Sequence, residues 1–150
     1  MIWGSMAWKG LGTLEFIDTT MNKEIFLQLL IDNLETSRKR IRLYRDFWFQ
    51  QDNDPKHTAK IIKKWFEDNN IKVLPWPPQS PDLNPIEHLW SEVGRRISNR
   101  KPKNKDELKE ILRETWSSIH EEGTYIKKLV ESMPRRIAEV IKAKGGPTKY

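Results

Sequence analysis

Two acids stand where they could do chemistry. Asp52 closes the stretch FWFQQD (residues 47–52) and Glu87 lies in NPIEHLW (84–90), with residues 53–86 between them. The apolar run Phe47-Trp48-Phe49 reads as a strand covered on both faces. It delivers Asp52 at its C-terminal end, where α/β sheets place ligand sites. Glu87 has two readings. Asn84 suits a helix N-cap, Pro85 the first helical position and Glu87 the third, which makes Glu87 the glutamate of a capping box. Alternatively, it is a carboxylate on a rim next to Asp52. Two acids on neighbouring rims are what a divalent-metal phosphoryl-transfer site needs, because such ions take hard oxygen ligands. Soft-metal chemistry is excluded at cysteine, since the chain has none. His57, His88 and His120 lack zinc-ligand spacing.

The elements that must position these acids follow from periodicity and caps. MIWGSMAW (1–8) and GTLEFI (12–17) read as two strands of a hairpin turning at Lys9-Gly10-Leu11-Gly12. Trp3, Trp8 and Phe16 sit in apolar runs and read as core rather than as base-stacking groups. Asn22 to about Arg38 reads as a helix burying Ile25, Phe26, Leu29, Leu30 and Leu34. The strand 47–51 follows. Thr58 then caps a helix with Ile61, Ile62, Trp65 and Phe66 inside. Asn69-Asn70 ends that helix, and Ile71–Leu74 forms a strand parallel to the previous one if the helix is a crossover. Trp76–Pro85 is a stiff proline-rich connector without regular structure. It leads into a helix from Pro85 to about Asn99, with Ile86, Leu89, Trp90, Val93 and Ile97 buried.

Beyond Pro102, Asn104 and Glu107 open another helix with Leu108, Ile111, Leu112, Trp116 and Ile119 inside. Gly123 breaks it, and Thr124 caps a short helix. Pro134 opens a last helix, burying Ile137, Val140 and Ile141 and ending at Gly145-Gly146. These helices read as packing onto the sheet or onto a second copy rather than as a helix-turn-helix. The organisation expected is one domain over 1–150, with an α/β core over about 1–99 and a helical extension over 104–145.

Composition agrees with a folded, water-facing chain. Charged residues are 32% of the 150, and seven tryptophans can anchor a core. No apolar run approaches the roughly 20 residues of a membrane span. The N-terminus lacks a secretory pattern, so the chain reads as soluble and intracellular. The net charge is +6. About +4 of it falls in residues 101–150 (12 basic, 8 acidic). Such a charge suits a phosphate-backbone partner. Candidate backbone contacts are Arg38, Lys39, Arg40, Lys56, Lys60, Arg95 and Arg96, each with the alternative reading of a solvated helix face.

QQDNDPKHT (50–58), WPPQSPDLNPIEHLW (76–90), MIWG (1–4) and SMPRR (132–136) with the terminal TKY together resemble the catalytic domain of Tc/mariner DNA transposases. The likeness is to the branch whose third acid is glutamate. The resemblance implies a ribonuclease-H-like α/β fold, with a mixed sheet flanked by helices and a helical C-terminal extension. It also implies an Asp-Asp-Glu triad, two Mg²⁺ or Mn²⁺ ions and cut-and-paste transposition of DNA in the nucleus. Asp52 and Glu87 then become catalytic metal ligands, and Asn53 orients Asp52. The implied partners are transposon ends, target DNA, and a second copy or an intact transposase.

In that family the first aspartate lies on a strand upstream of the Trp-Gly strand, which here begins at Met1. Among these 150 residues the first aspartate and first strand therefore have no counterpart. The expectation is an incomplete site that leaves DNA uncut. The alternatives are a non-catalytic remnant that binds DNA or pairs with intact transposase, and a ribonuclease-H-like nuclease of another kind.

Overall fold

The computed structural model describes residues 1–146 and 148. Lys149 and Tyr150 of the terminal TKY lie outside the described residues. The chain opens with the expected hairpin, β1 (Ile2–Ala7) and β2 (Gly10–Phe16), paired antiparallel with Ile2 opposite Phe16. The turn is tighter than the sequence suggests, because Gly10 already pairs with Ala7. Helix α1 (Lys23–Arg40) begins at Asn22, whose side chain accepts from the Ile25 N–H at 2.8 Å. Strand β3 (Trp48–Phe49), helix α2 (Lys60–Asp68) and strand β4 (Lys72–Val73) form a parallel crossover unit. A single 3₁₀ turn (Pro81–Leu83) precedes α3 (Pro85–Ser98). Then come α4 (Lys105–Glu122), α5 (Thr124–Glu131) and α6 (Met133–Lys142).

The core has two parts. Phe26 and Leu30 of α1 pack on Ile62 and Phe66 of α2, against the inner side of β3 and β4. Leu11, Leu89, Val93, Leu112, Trp116, Ile119, Ile126 and Leu129 form the other part, which joins the hairpin to α3, α4 and α5. The stretch expected as a C-terminal extension therefore carries much of the core. Gly4 makes this packing possible. A Cβ there would lie 2.7 Å from the Trp116 ring and 3.0 Å from that of Trp90. These two indoles stack with centroids 5.2 Å apart.

Several expectations need correction. The single mixed sheet is present as two separate two-stranded sheets, β1-β2 and β3-β4. β3 is only two residues long, and Trp48 on it is 59% exposed, so it is not covered on both faces. Thr58 does not cap α2. Its hydroxyl donates to the Asp54 carbonyl, and Ala59 takes the N-cap position without a side-chain bond. The proline-rich connector contains the 3₁₀ turn, since proline's fixed φ is compatible with helical geometry at an N-terminus. Gly123, in the left-handed conformation at φ 61, rather than Thr124 stands at the N-cap of α5. Trp8, Ile137 and Ile141 are exposed. Helix α6 instead buries Arg136, which donates from Nη1 to the Asp82 carbonyl at 2.9 Å and from Nε to Ser132 Oγ at 2.8 Å. A charged side chain tolerates such burial only when it is hydrogen-bonded.

Candidate active site

Asp52 lies three residues past β3, in a loop held by its own hydrogen bonds. The Leu74 N–H donates to the Phe49 carbonyl at 2.8 Å and carries the parallel pairing one step beyond β4. The chain then turns, with the His57 N–H donating to the Asp54 carbonyl at 2.8 Å. Within this turn Asp52 Oδ1 accepts from the Asp54 N–H at 3.1 Å and from His57 Nδ1 at 2.6 Å. His57 is itself anchored, its ring 4.2 Å from that of Phe26 on α1 and its carbonyl accepting from Gln51 Nε2 at 3.0 Å. Oδ1 is thus committed, and among the described residues no protein group bonds Oδ2.

Asn53, expected to orient Asp52, does something else. Its amide donates to the Trp76 carbonyl at 2.7 Å and pins the proline-rich connector to this loop. The orienting contact on Asp52 falls instead to His57. The sequence signal was available as the histidine of QQDNDPKHT, five positions after the acid, but only in a turn do those positions meet. Asp54 is also committed. It pairs with Lys56, whose bonds hold its carboxyl below the usual carboxylate range.

Glu87 occupies the first turn of α3 and is exposed. The capping box does not form. Asn84 Oδ1 accepts from Gln50 Nε2 at 3.1 Å instead of from a helix N–H, and the Asn84 N–H donates to the Pro81 carbonyl at 2.9 Å. Only a long 3.4 Å contact from Asn84 Nδ2 touches the Glu87 carboxylate. Glu87 therefore faces solvent with its oxygens nearly uncommitted, at a helix N-terminus that favours negative charge.

A cleft of about 460 Å³ runs between β1 and β3 and reaches the start of α3. Among the described residues, Asp52 and Glu87 are the only carboxylates lining it. Asp18 and Asp32 stand elsewhere. Asp18 is bound by Lys105 at 2.7 Å and by Lys109, which keep its carboxyl below its ordinary range. Asp32 accepts from Gln28 on the outer face of α1. Three buried polar atoms on residues of this cleft, Ser5 Oγ, Arg38 Nε and Gln51 Oε1, have no hydrogen-bond partner among the described residues. Hard carboxylate oxygens without protein partners suit Mg²⁺ or Mn²⁺. Among the described residues, no group of three acids or histidines completes a metal cage.

The candidate backbone contacts are scattered. Arg38 pairs with Glu35 at 3.1 Å and lies over the Phe47 ring, while Lys39 reaches Glu35 at 3.9 Å. Lys56 is spent on Asp54. Arg95 pairs with Glu92 at 2.8 Å. Arg96 holds Glu92 at 2.7 Å and grips Glu122 through both Nη atoms. Arg40 and Lys60 are exposed and make no ion pair among the described residues.

This architecture has known relatives. The family model described as DDE superfamily endonuclease matches residues 1–109. The transposable element Tcb2 transposase of Caenorhabditis briggsae is 42% identical over 150 residues, which are 100% of this chain and 54% of the relative. The chain thus spans about half the length of the curated relatives it matches. Among solved structures, the Mos1 transposase catalytic domain with Raltegravir and Mn superposes with a TM-score of 0.86 at 24% identity, covering 99% of this chain and 76% of that one. The mariner Mos1 paired end complex with Mg gives 0.85 at 23% identity, covering 95% and 42%. The fold is therefore the ribonuclease-H-like α/β fold of that catalytic domain, and the chain belongs to the DDE superfamily endonucleases.

Proposed function

We propose that this chain forms the Asp52–Glu87 side of a transposase active site that cuts and joins DNA at transposon ends. One observation carries the reading. Two under-committed carboxylates, delivered by different elements, line one cleft and are tethered by the Gln50–Asn84 bond. Asp52 and Glu87 would hold the divalent ions, Mg²⁺ or Mn²⁺. When bound, such ions activate an attacking oxygen and stabilise a leaving one. The protein's part is to fix the carboxylates before substrate arrives. His57 holds Oδ1 of Asp52 and aims Oδ2 outward. Gln50 and Asn84 set the spacing of the two acids. The Mos1 transposase paired-end complex with left transposon end and this chain's net charge of +6 support a DNA partner, with action in the nucleus. The third carboxylate would come from a strand lying between β1 and β3, where the cleft runs. Without it, each ion keeps one strong protein ligand, and the 150 residues alone leave DNA uncut.

A second reading, a DNA-binding or copy-pairing remnant without catalysis, is favoured by the lack of a third acid in the cleft among the described residues. Calorimetric titration of Mn²⁺ into the wild type, Asp52→Asn and Glu87→Gln separates the two. The catalytic reading expects measurable binding that weakens at least tenfold in each variant. Equal binding in all three proteins would remove the site. Metal-dependent nicking by the chain itself, lost in Asp52→Ala, would show that another group completes it.

A further inference from the structure

A second cavity, of about 390 Å³, opens on the other side of Asp52, between α2, β4 and the connector at Trp76. It shares Gln51, Asp52 and His57 with the cleft, so whatever fills it borders the candidate site directly. Its floor is apolar, made by Phe66, Val73 and Leu74, and Trp76 lines its edge. A concave, mainly apolar site with a few convergent polar groups is the usual form of a small-ligand pocket. One of those groups is unsatisfied. Gln51 Nε2 is used on the His57 carbonyl, but its Oε1 is buried without a donor. Leaving a buried acceptor unpaired is costly, and a ligand N–H would relieve it.

The charges decide what kind of ligand fits. Asp52 and Glu67 border the cavity against one cation, Lys63, and this excess of negative charge disfavours a phosphate or any other anion. A flat, neutral group with an apolar face and an N–H edge is what the lining accepts. Resting on the DNA reading above, we infer that this cavity takes an unpaired nucleobase of the strand held at Asp52, stacked against Trp76 and hydrogen-bonded to Gln51 Oε1. Every base has a π-face and an N–H donor, so the pocket tolerates any sequence. The Asn53 bond to the Trp76 carbonyl joins the pocket wall to the residue beside Asp52. A seated base would thereby hold the strand in register with the carboxylate.

The test is fluorescence polarisation with the 150-residue chain and labelled duplexes carrying a short single-stranded end, with either bases or abasic sites in that end. A fully paired duplex is the reference. Stacking on one aromatic side chain predicts about 5- to 150-fold tighter binding of the base-containing end. Trp76→Ala should bring it to the abasic value and leave the paired duplex unchanged, and Trp76→Phe should restore most of the preference. Equal affinity of wild type for both ends, with the paired duplex still bound, overturns the pocket and leaves the DNA reading standing. Failure to bind any of the three DNAs overturns both. Competition by a free mononucleotide as effective as the strand itself would also overturn the proposal, since the pocket would then serve a soluble nucleotide.

Discussion

Gln50 Nε2 donates to Asn84 Oδ1 at 3.1 Å, which joins the chain segment bearing Asp52 to the N-cap residue of the helix bearing Glu87. The bond takes from Asn84 the oxygen a helix cap would have used. Gln50→Ala should cost about 1 kcal/mol of stability, the typical worth of one such hydrogen bond. Its larger effect should fall on metal affinity, lowered about 10- to 100-fold as for other groups that orient ligands from behind. Calorimetry with Mn²⁺ beside a urea melt checks both. Unchanged affinity would mean that the tether does not set the spacing of the two acids.

Glu87→Gln should leave stability within about 0.5 kcal/mol of wild type, as at an exposed position whose carboxylate makes only the long 3.4 Å contact with Asn84, which glutamine can also accept. Asn104 provides the contrast, because its Oδ1 accepts from the Glu107 N–H at 2.8 Å. Asn104→Ala should cost about 1 kcal/mol. Parallel denaturation curves decide. A loss at Glu87 as large as at Asn104 would return Glu87 to a capping role.

Gly4→Ala should destabilise by about 1–3 kcal/mol, because a methyl group there overlaps the Trp116 ring. Trp116 cannot step aside cheaply, since it is 1% exposed and its Nε1 donates to the Gly12 carbonyl at 2.9 Å. Tryptophan fluorescence during thermal unfolding reports on this same pair. A melting temperature equal to wild type would show that the indoles have room.

Acid should weaken the fold in two stages. His120 Nδ1 accepts from the Leu11 N–H at 2.9 Å, which requires the neutral ring, and burial pushes its pKa below the usual 6.5. Its contribution is whole above pH 6.5 and is lost as pH falls through the lowered folded value. Glu92, bound by Arg95 and Arg96, is lowered from 4.5 to about 2, so its contribution is whole above 4.5 and lost on approach to 2. His120→Asn, which keeps an acceptor but does not titrate, should flatten the upper stage only. Glu92→Gln should flatten the lower one. Urea midpoints from pH 8 to 2 test both, and an unaltered upper stage in His120→Asn would contradict the first assignment.

DNA binding should fall steeply with salt, because neutralising phosphates releases counterions. Arg40→Ala or Lys60→Ala should each reduce the salt slope by about one. Arg96→Ala should change it less, since its guanidinium is held by Glu92 and Glu122. A larger effect at Arg96 than at Lys60 would mean that DNA displaces those carboxylates.

What could be read from the sequence was what is encoded over a few neighbouring residues. The apolar face of α1, the caps at Asn22 and Asn104, the stop at Gly123 and the hairpin all follow from periodicity, side-chain oxygens near free N–H groups, and a residue free to take positive φ. The short motifs around Asp52 and Glu87 also carried the family resemblance. The tertiary structure decided everything that depends on distant partners. Asn84 had the right type and place for a cap, but Gln50, 34 positions away, took its oxygen. Local pattern put Ile137 and Ile141 inside α6, yet the side chain that found a buried acceptor was Arg136, on a carbonyl 54 positions back. One sheet was expected where the described residues make two, with a cleft between them that both Asp52 and Glu87 line. Hydrogen bonds and burial are settled by which surfaces meet, and no window of neighbouring residues specifies that meeting.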